Sequence, residues 1–191
     1  MKEKSQEKKN AILKATLELI AEQGFHGTSI SQIADRANVN VGSIYYHFDN
    51  KDDILNALYI ECKTRITQST LRDCSDDIPA DKCIKRMMIN NIHYFIENRE
   101  QLSFIEQYEN SPYFANIVLT SEYAEIKKAY EDMYNRYKMQ DLIKDLSSEI
   151  LQRLLFGSII SLIKYCINNA NALEEPTLSV AIEAIWDMIR K

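Results

Sequence analysis

Along residues 5–23, the positions Ile12, Leu13, Thr16, Leu17, Ile20 and Ala21 recur every three to four residues. That period is one face of an α-helix. Gly24 is placed to end this helix, and Phe25 follows it. In TSISQIADRAN (28–38), Ile30, Ile33, Ala34 and Ala37 form a narrow stripe of mostly small residues, so a neighbouring helix can approach closely. Thr28 or Ser29 can cap this second helix, and Ser29 with Gln32 fits a capping box. Asn38 suits the left-handed conformation that stops a helix. A short third helix is predicted to begin near Gly42, with Ile44 and Phe48 at i and i+4 turned inward. Asn50 then caps a fourth, whose first turn holds Asp52 and Asp53, where the helix dipole favours acids. Its apolar face, Ile54, Leu55, Leu58, Tyr59, Cys62 and Ile66, runs to about residue 73.

The three prolines, 79, 112 and 176, each stand where the first turn of a helix tolerates one. Further helices are predicted over 80–97, 100–110, 112–138, 145–170 and 176–190, giving an all-α chain of about nine helices. Only 4 Gly and 3 Pro occur in 191 residues, and hairpin dipeptides are absent, which argues against sheets. The stretch 150–167 is apolar nearly all round, so it is expected to be buried on several sides. It contains Gln152, Arg153 and Lys164, which argues against a membrane span.

Hydrophobic residues make up 46% and charged residues 27%, ordinary for a soluble globular protein. The N-terminus is charged and leads into an amphipathic pattern, so no signal peptide is expected. Cysteines 62, 74, 83 and 166 form no CxxC pair or zinc-finger spacing and read as reduced thiols in the cytoplasm. His26, His47 and His93 with these cysteines make no metal set. There is no Gly-rich phosphate loop, no HExxH and no nucleophile spaced to a base, so neither an enzyme nor a cofactor is expected. The net charge is −5, but residues 1–51 hold seven Lys/Arg against six Asp/Glu. An acidic total does not exclude DNA binding, because only the patch that faces phosphate matters. Lys2, Lys4, Lys8 and Lys9 are diluted by Glu3 and Glu7, so they are expected to form a disordered tail rather than an arm for the minor groove.

Residues 28–48 thus read as helix, turn, helix, the layout whose second helix enters the DNA major groove. With Ile44 and Phe48 inward, a seven-residue helix cannot also bury Val41, Ser43, Tyr45, Tyr46 and His47. Ser43 suits a base edge or a phosphate, Val41 a thymine methyl, and Gly42 a close backbone approach. Tyrosine hydroxyls and a histidine N–H suit phosphates. Lys51 stands at the next helix's N-terminus, where ammonium and dipole together favour a phosphate.

The run GFHGTSISQIADRANVNVGSIYYHFDNKDDIL (24–55) resembles the N-terminal domain of TetR-family transcriptional regulators. The resemblance rests on the joint spacing of Gly24-Phe25, Thr28-Ser29, Ile33-Ala34, Val39-x-x-Gly42, Tyr45-Tyr46-His47-Phe48 and Lys51-Asp52-Asp53-Ile54-Leu55. Asn38 stands where the family commonly has glycine. The resemblance implies DNA contacts at Ser29, Ser31, Val41, Gly42, Ser43, Tyr45, Tyr46, His47 and Lys51. It also implies a cytoplasmic, ligand-responsive repressor: a homodimer that binds a double-stranded DNA operator and takes a small-molecule effector among its C-terminal helices. Residues 1–50 would be the helix-turn-helix DNA-binding domain and 51–191 the effector-binding and dimerisation domain.

Two groups in the later half are candidates for those roles. FIEQYENSPYFANIV (104–118) is rich in aromatics, and Phe104, Tyr108, Tyr113 and Phe114, with Met87, Asn91 and Tyr94, are the candidate effector pocket. Glu106 and Glu109 among them would suit a lipophilic cation if buried. The favoured reading is a helix with aromatics inward and acids outward. Leu154, Gly157, Ser161, Ile185 and Met188 are the candidate dimer interface, two helices from each subunit. A helical protein-interaction module, or an enzyme without a recognisable catalytic motif, is the alternative. The Tyr-Tyr-His cluster on a short exposed helix argues against it.

Overall fold

The computed structural model describes residues 2–75, 77–169 and 176–191. Its helices are α1 (Lys2–Gly27), α2 (Ile30–Arg36), α3 (Val41–His47), α4 (Lys51–Thr70) and α5 (Ala80–Glu97), then α6 (Arg99–Glu109), α7 (Phe114–Ile117), α8 (Ser121–Met139), α9 (Ser148–Asn168) and α10 (Thr177–Ile189). The fold is all-α, and the one extended pairing among the described residues is an isolated antiparallel bridge between Ile143 and Arg190. Among the described residues ten helices stand where nine were expected, because residues 112–138 divide. The Thr120 hydroxyl accepts the Tyr123 N–H at 3.3 Å and caps α8, which leaves Phe114–Ile117 as a separate turn. Ala170, the expected last residue of the helix over 145–170, lies outside the described residues.

Gly24 breaks α1, at φ 71° and ψ 178°. Essentially only glycine takes that backbone conformation. The Thr28 hydroxyl donates to the Gly24 carbonyl at 2.9 Å and closes the turn. The expected disordered tail is instead helical from Lys2 onward. Its Lys, Glu and Gln residues are good helix formers, and Gln6 donates to Asn10 at 2.8 Å one turn on.

The chain packs as two compact units. One holds residues up to Lys63 together with Asn98–Tyr123; the other holds Thr64–Glu97 and Ala124–Lys191. In the first, α1 packs on α2, α3 and α6 through buried Ile12, Leu13, Leu19, Ile20, Ile33 and Ile44. The early part of α4 adds Ile54, Leu55, Leu58 and Tyr59. An aromatic cluster joins α6 and α7 to these helices. Phe25 meets Phe104 edge-on at 5.8 Å, and Tyr59 stacks on Tyr108 at 4.2 Å. In the second unit α5 packs on α9 and α10 through Ile84, Met88, Ile92 and Phe95 on one side and Leu155, Ile159, Ile163, Ile182 and Trp186 on the other.

Candidate nucleic-acid interface

Local hydrogen bonds set α2 and α3 in place. The Ser29 N–H donates to Gln32 Oε1 at 2.8 Å, and the Gln32 N–H returns to Ser29 Oγ at 3.3 Å, so the expected capping box forms. Asn38 takes φ 52°, and the Val39 N–H donates back to the Ala34 carbonyl at 3.0 Å, closing α2. Asn40 then caps α3, its Oδ1 accepting the Ser43 N–H at 2.7 Å. Asn50 does the same for α4, accepting the Asp53 N–H at 2.9 Å.

Ile44 and Phe48 are buried, as the spacing predicts. They fix the rotation of α3 and turn its other side outward. Val41 is 40% exposed, Tyr45 55% and Tyr46 78%. Gly42 is also exposed, and a Cβ there would meet only Asn40 Oδ1, at 3.4 Å. Nothing inside the chain therefore requires glycine at 42. Ser43 and His47 are half-buried on the same helix, and Ser29 and Ser31 are exposed at the start of α2. The two serine hydroxyls lie 3.0 Å apart, and Ser29 Oγ also donates to Gln32 Oε1 at 2.8 Å.

Electrostatics around α3 are set partly by α1. Burial first, then the nearby ammonium groups of Lys9 and Lys8, hold the His47 pKa below its ordinary value. At neutral pH the ring is therefore uncharged and can donate through one N–H. Lys9 lies over the Phe48 ring at 5.6 Å. These lysines were not singled out as neighbours of α3, since their side of α1 follows only from how α1 packs. Lys51 is half-buried, and its ammonium donates to the Phe25 carbonyl at 2.5 Å, tying the start of α4 to the end of α1. Arg36 makes a two-pronged contact with Glu22, at 2.9 and 2.8 Å, and a longer one with Glu18 at 3.4 Å. These hydrogen bonds raise the Arg36 pKa and lower that of Glu22. The pair is exposed, so its main effect is to hold α2 against α1 rather than to add much stability.

Known proteins with this arrangement share both halves of the chain. Residues 12–58 match the family described as bacterial regulatory proteins, tetR family, and residues 79–190 match the tetracyclin repressor-like C-terminal domain. The chain belongs to the TetR family. An uncharacterized HTH-type transcriptional regulator of Haemophilus influenzae is 30% identical over 182 residues, covering 94% of each chain. The fatty acid metabolism regulator protein of Bacillus subtilis is 27% identical, covering 90% of this chain and 89% of its own. A crystal structure of a TetR-family transcriptional regulator from Haemophilus influenzae superposes with a TM-score of 0.84 at 26% identity, over 97% of this chain and 98% of that one. This TetR-family chain is accordingly a DNA-binding transcriptional regulator and not an enzyme.

The other candidate residues of this regulator fall in different places. Phe104 and Tyr108 are fully buried and come together with half-buried Tyr113 and Phe114 in the first unit. Glu109 accepts the Tyr59 hydroxyl at 2.9 Å and the Lys63 ammonium at 3.3 Å. Lys63 is thus the cation beside Glu109. Met87 and Asn91 are buried, and Tyr94 is half-buried, in the second unit. Asn91 Nδ2 donates to the Met87 carbonyl at 3.0 Å, while its Oδ1 is buried with no hydrogen-bond partner among the described residues.

The TetR-family chain's α9 was expected to be buried on several sides. Instead Leu151, Leu155, Ile159, Ile163 and Cys166 face inward, and Ile150, Leu154, Gly157, Ser161 and Tyr165 are exposed. Nothing lies within 4 Å of a Cβ placed at Gly157. By length and composition alone this helix is apolar enough to cross a membrane, a test that the core helix of a soluble protein also passes. Of the α10 candidates, Met188 is 37% exposed, whereas Ile185 is buried within the chain's own core.

Proposed function

We propose that the chain is a cytoplasmic, ligand-responsive repressor that binds a roughly palindromic operator as a homodimer. One observation carries the reading: α3, rotated by buried Ile44 and Phe48, turns Val41, Gly42, Tyr45 and Tyr46 to solvent together. Val41, Gly42 and Ser43 meet base edges; Ser29, Ser31, Tyr45, Tyr46 and His47 meet phosphates and fix the register. Lys51 adds a phosphate contact with the N–H donors left over from its bond to Phe25. Residues 1–50 are the reading head and 51–191 the regulatory part.

Leu154, Gly157 and Ser161 on α9, with Met188 on α10, carry the dimer interface, while Ile185 supports it from beneath. A two-fold dimer puts its recognition helices about 34–36 Å apart, one turn of DNA. The effector binds near Met87, Asn91 and Tyr94 and supplies the donor that Asn91 Oδ1 lacks; buried polar atoms are seldom left unpaired. It acts by preferring a conformation whose heads are wrongly spaced, and weakens operator binding only by its affinity difference between the two. The helix α4, which runs from Lys51 to Thr70, is the lever.

Anisotropy titrations of fluorescent duplexes that tile the DNA around the protein's own gene, at two salt concentrations, test this. One duplex should bind far above the rest, and that duplex then serves in an effector screen. Uniform binding to every duplex, at either salt, would overturn sequence-specific recognition there.

A further inference from the structure

Neither the DNA-reading surface nor the effector region uses Cys74 and Cys83. Cys74 lies just after α4, in the turn that follows Thr70, and Cys83 lies in the first turn of α5, its N–H donating to the Pro79 carbonyl at 3.0 Å. Both belong to the second compact unit. Cys74 is half-buried and Cys83 is buried. The Cys74 thiol donates to the Cys83 carbonyl oxygen at 3.4 Å, so the two cysteines stand side by side although nine residues apart in sequence. Pro79, Ala80, Tyr137 and Trp186 line a cavity of about 480 Å³ beside the first turn of α5.

We propose that Cys74 and Cys83 form a redox-responsive pair, which a hydroperoxide converts to an intrachain disulfide between the end of α4 and the start of α5. A cysteine whose thiol is held below its ordinary pKa carries more of the reactive thiolate. The Cys74 hydrogen bond, with help from Tyr137, pushes the Cys83 thiol down to about 7, while the Cys74 thiol is raised. Cys83 is therefore the nucleophile and Cys74 the resolving thiol. The Cys83 thiolate attacks one peroxide oxygen, the O–O bond breaks, and the departing oxygen takes up a proton and leaves as water, or as an alcohol from an organic hydroperoxide. Cys83 is then a sulfenic acid, oxidised by two electrons. The Cys74 sulfur attacks it, the S–S bond forms, the S–O bond breaks, and hydroxide leaves with the Cys74 proton as a second water.

Treating the full-length reduced protein with hydrogen peroxide tests this. Free thiols should fall from four to two per chain, and peptide mapping without reductant should join Cys74 to Cys83 within one chain. The rate should rise with pH around 7, and Tyr137→Phe should move that midpoint upward, which a merely structural tyrosine would not do. In Cys74→Ser, a sulfenic-acid trap should label Cys83. Retention of four thiols by the folded wild-type protein would overturn the proposal. So would thiol loss that maps to Cys62 or Cys166, or that appears as chain-to-chain links. The wild-type mapping decides the matter even if a cysteine variant does not fold.

Discussion

The outer faces of α3 and α9 both leave large apolar or aromatic side chains in water, yet they are built differently. On α3 the exposed residues carry or adjoin hydroxyls and an imidazole on a helix of seven residues, capped by Asn40. On α9, a helix of 21 residues, Ile150, Leu154 and Tyr165 lie along one side with the small residues Gly157 and Ser161 between them. A polar partner with fixed hydrogen-bonding edges suits the first. A second apolar helix suits the second, because close packing is what small residues permit. Exposure alone does not distinguish a DNA surface from a protein surface; the spacing of donors among the exposed groups does.

Disrupting the α9 stripe should have the largest effect. Leu154→Asp should convert the dimer to a monomer in light scattering. Operator affinity should then fall by at least about 100-fold, as two linked heads gain roughly that much over separate ones. A dimer that survived Leu154→Asp would move the interface elsewhere. Gly42→Leu should weaken operator binding by roughly 10- to 100-fold if, as proposed, the backbone at that position approaches DNA closely. Its thermal stability should stay unchanged or rise slightly, because the position is open and glycine is costly in a helix. A large loss of stability in Gly42→Leu would make that glycine structural. Tyr45→Phe, which removes one hydroxyl, should cost about tenfold in operator affinity on every sequence, the size of one hydrogen bond to a charged group.

Lys51→Ala separates two roles of one side chain. Loss of the Phe25 bond should lower stability, and loss of a phosphate contact should reduce the salt slope by about one. An unaltered salt slope would leave Lys51 as a strut between α1 and α4. The smallest effect is the pH dependence of His47. Its pKa is depressed in the folded chain, by burial and then by Lys9 and Lys8, so the unfolded chain binds the proton more readily. Stability should therefore be fully present above the ordinary histidine pKa of about 6.5 and decline as the pH falls through that value toward the folded one. Calorimetry of His47→Gln should show a flatter profile over that window.

Much of the head was legible from local rules. Ser29 with Gln32, Asn38 at positive φ, and Ile44 with Phe48 are each readable within four residues. What was not legible depended on residues far apart in sequence. The Arg36 clamp on Glu22 and Glu18 links positions 14 and 18 apart, and Tyr59 meets Glu109 fifty residues away. The grouping of Asn98–Tyr123 with the head is likewise a matter of packing that no periodicity records. Apolar content on α9 was visible, but periodicity could not say which side would be covered. Two misses were local. The capping of α8 by Thr120 was readable from residue type, and the helical N-terminus was hidden by reading its charges rather than its propensities.

The pairing of Arg36 and Lys14 bears on how this regulator finds its site. Two of the seven cations in residues 1–51 are already engaged by the chain's own carboxylates, Arg36 by Glu22 and Lys14 by Glu18, and the rest of the chain is acidic. Few counterions are then released on arbitrary DNA, and the grip on non-operator sequence is weak and brief. With millions of competing sites in a genome, such a protein loses little time on wrong ones. On the contacts proposed above, its search would proceed by frequent release and return rather than by long sliding, with operator occupancy resting on the uncharged hydroxyls of α2 and α3.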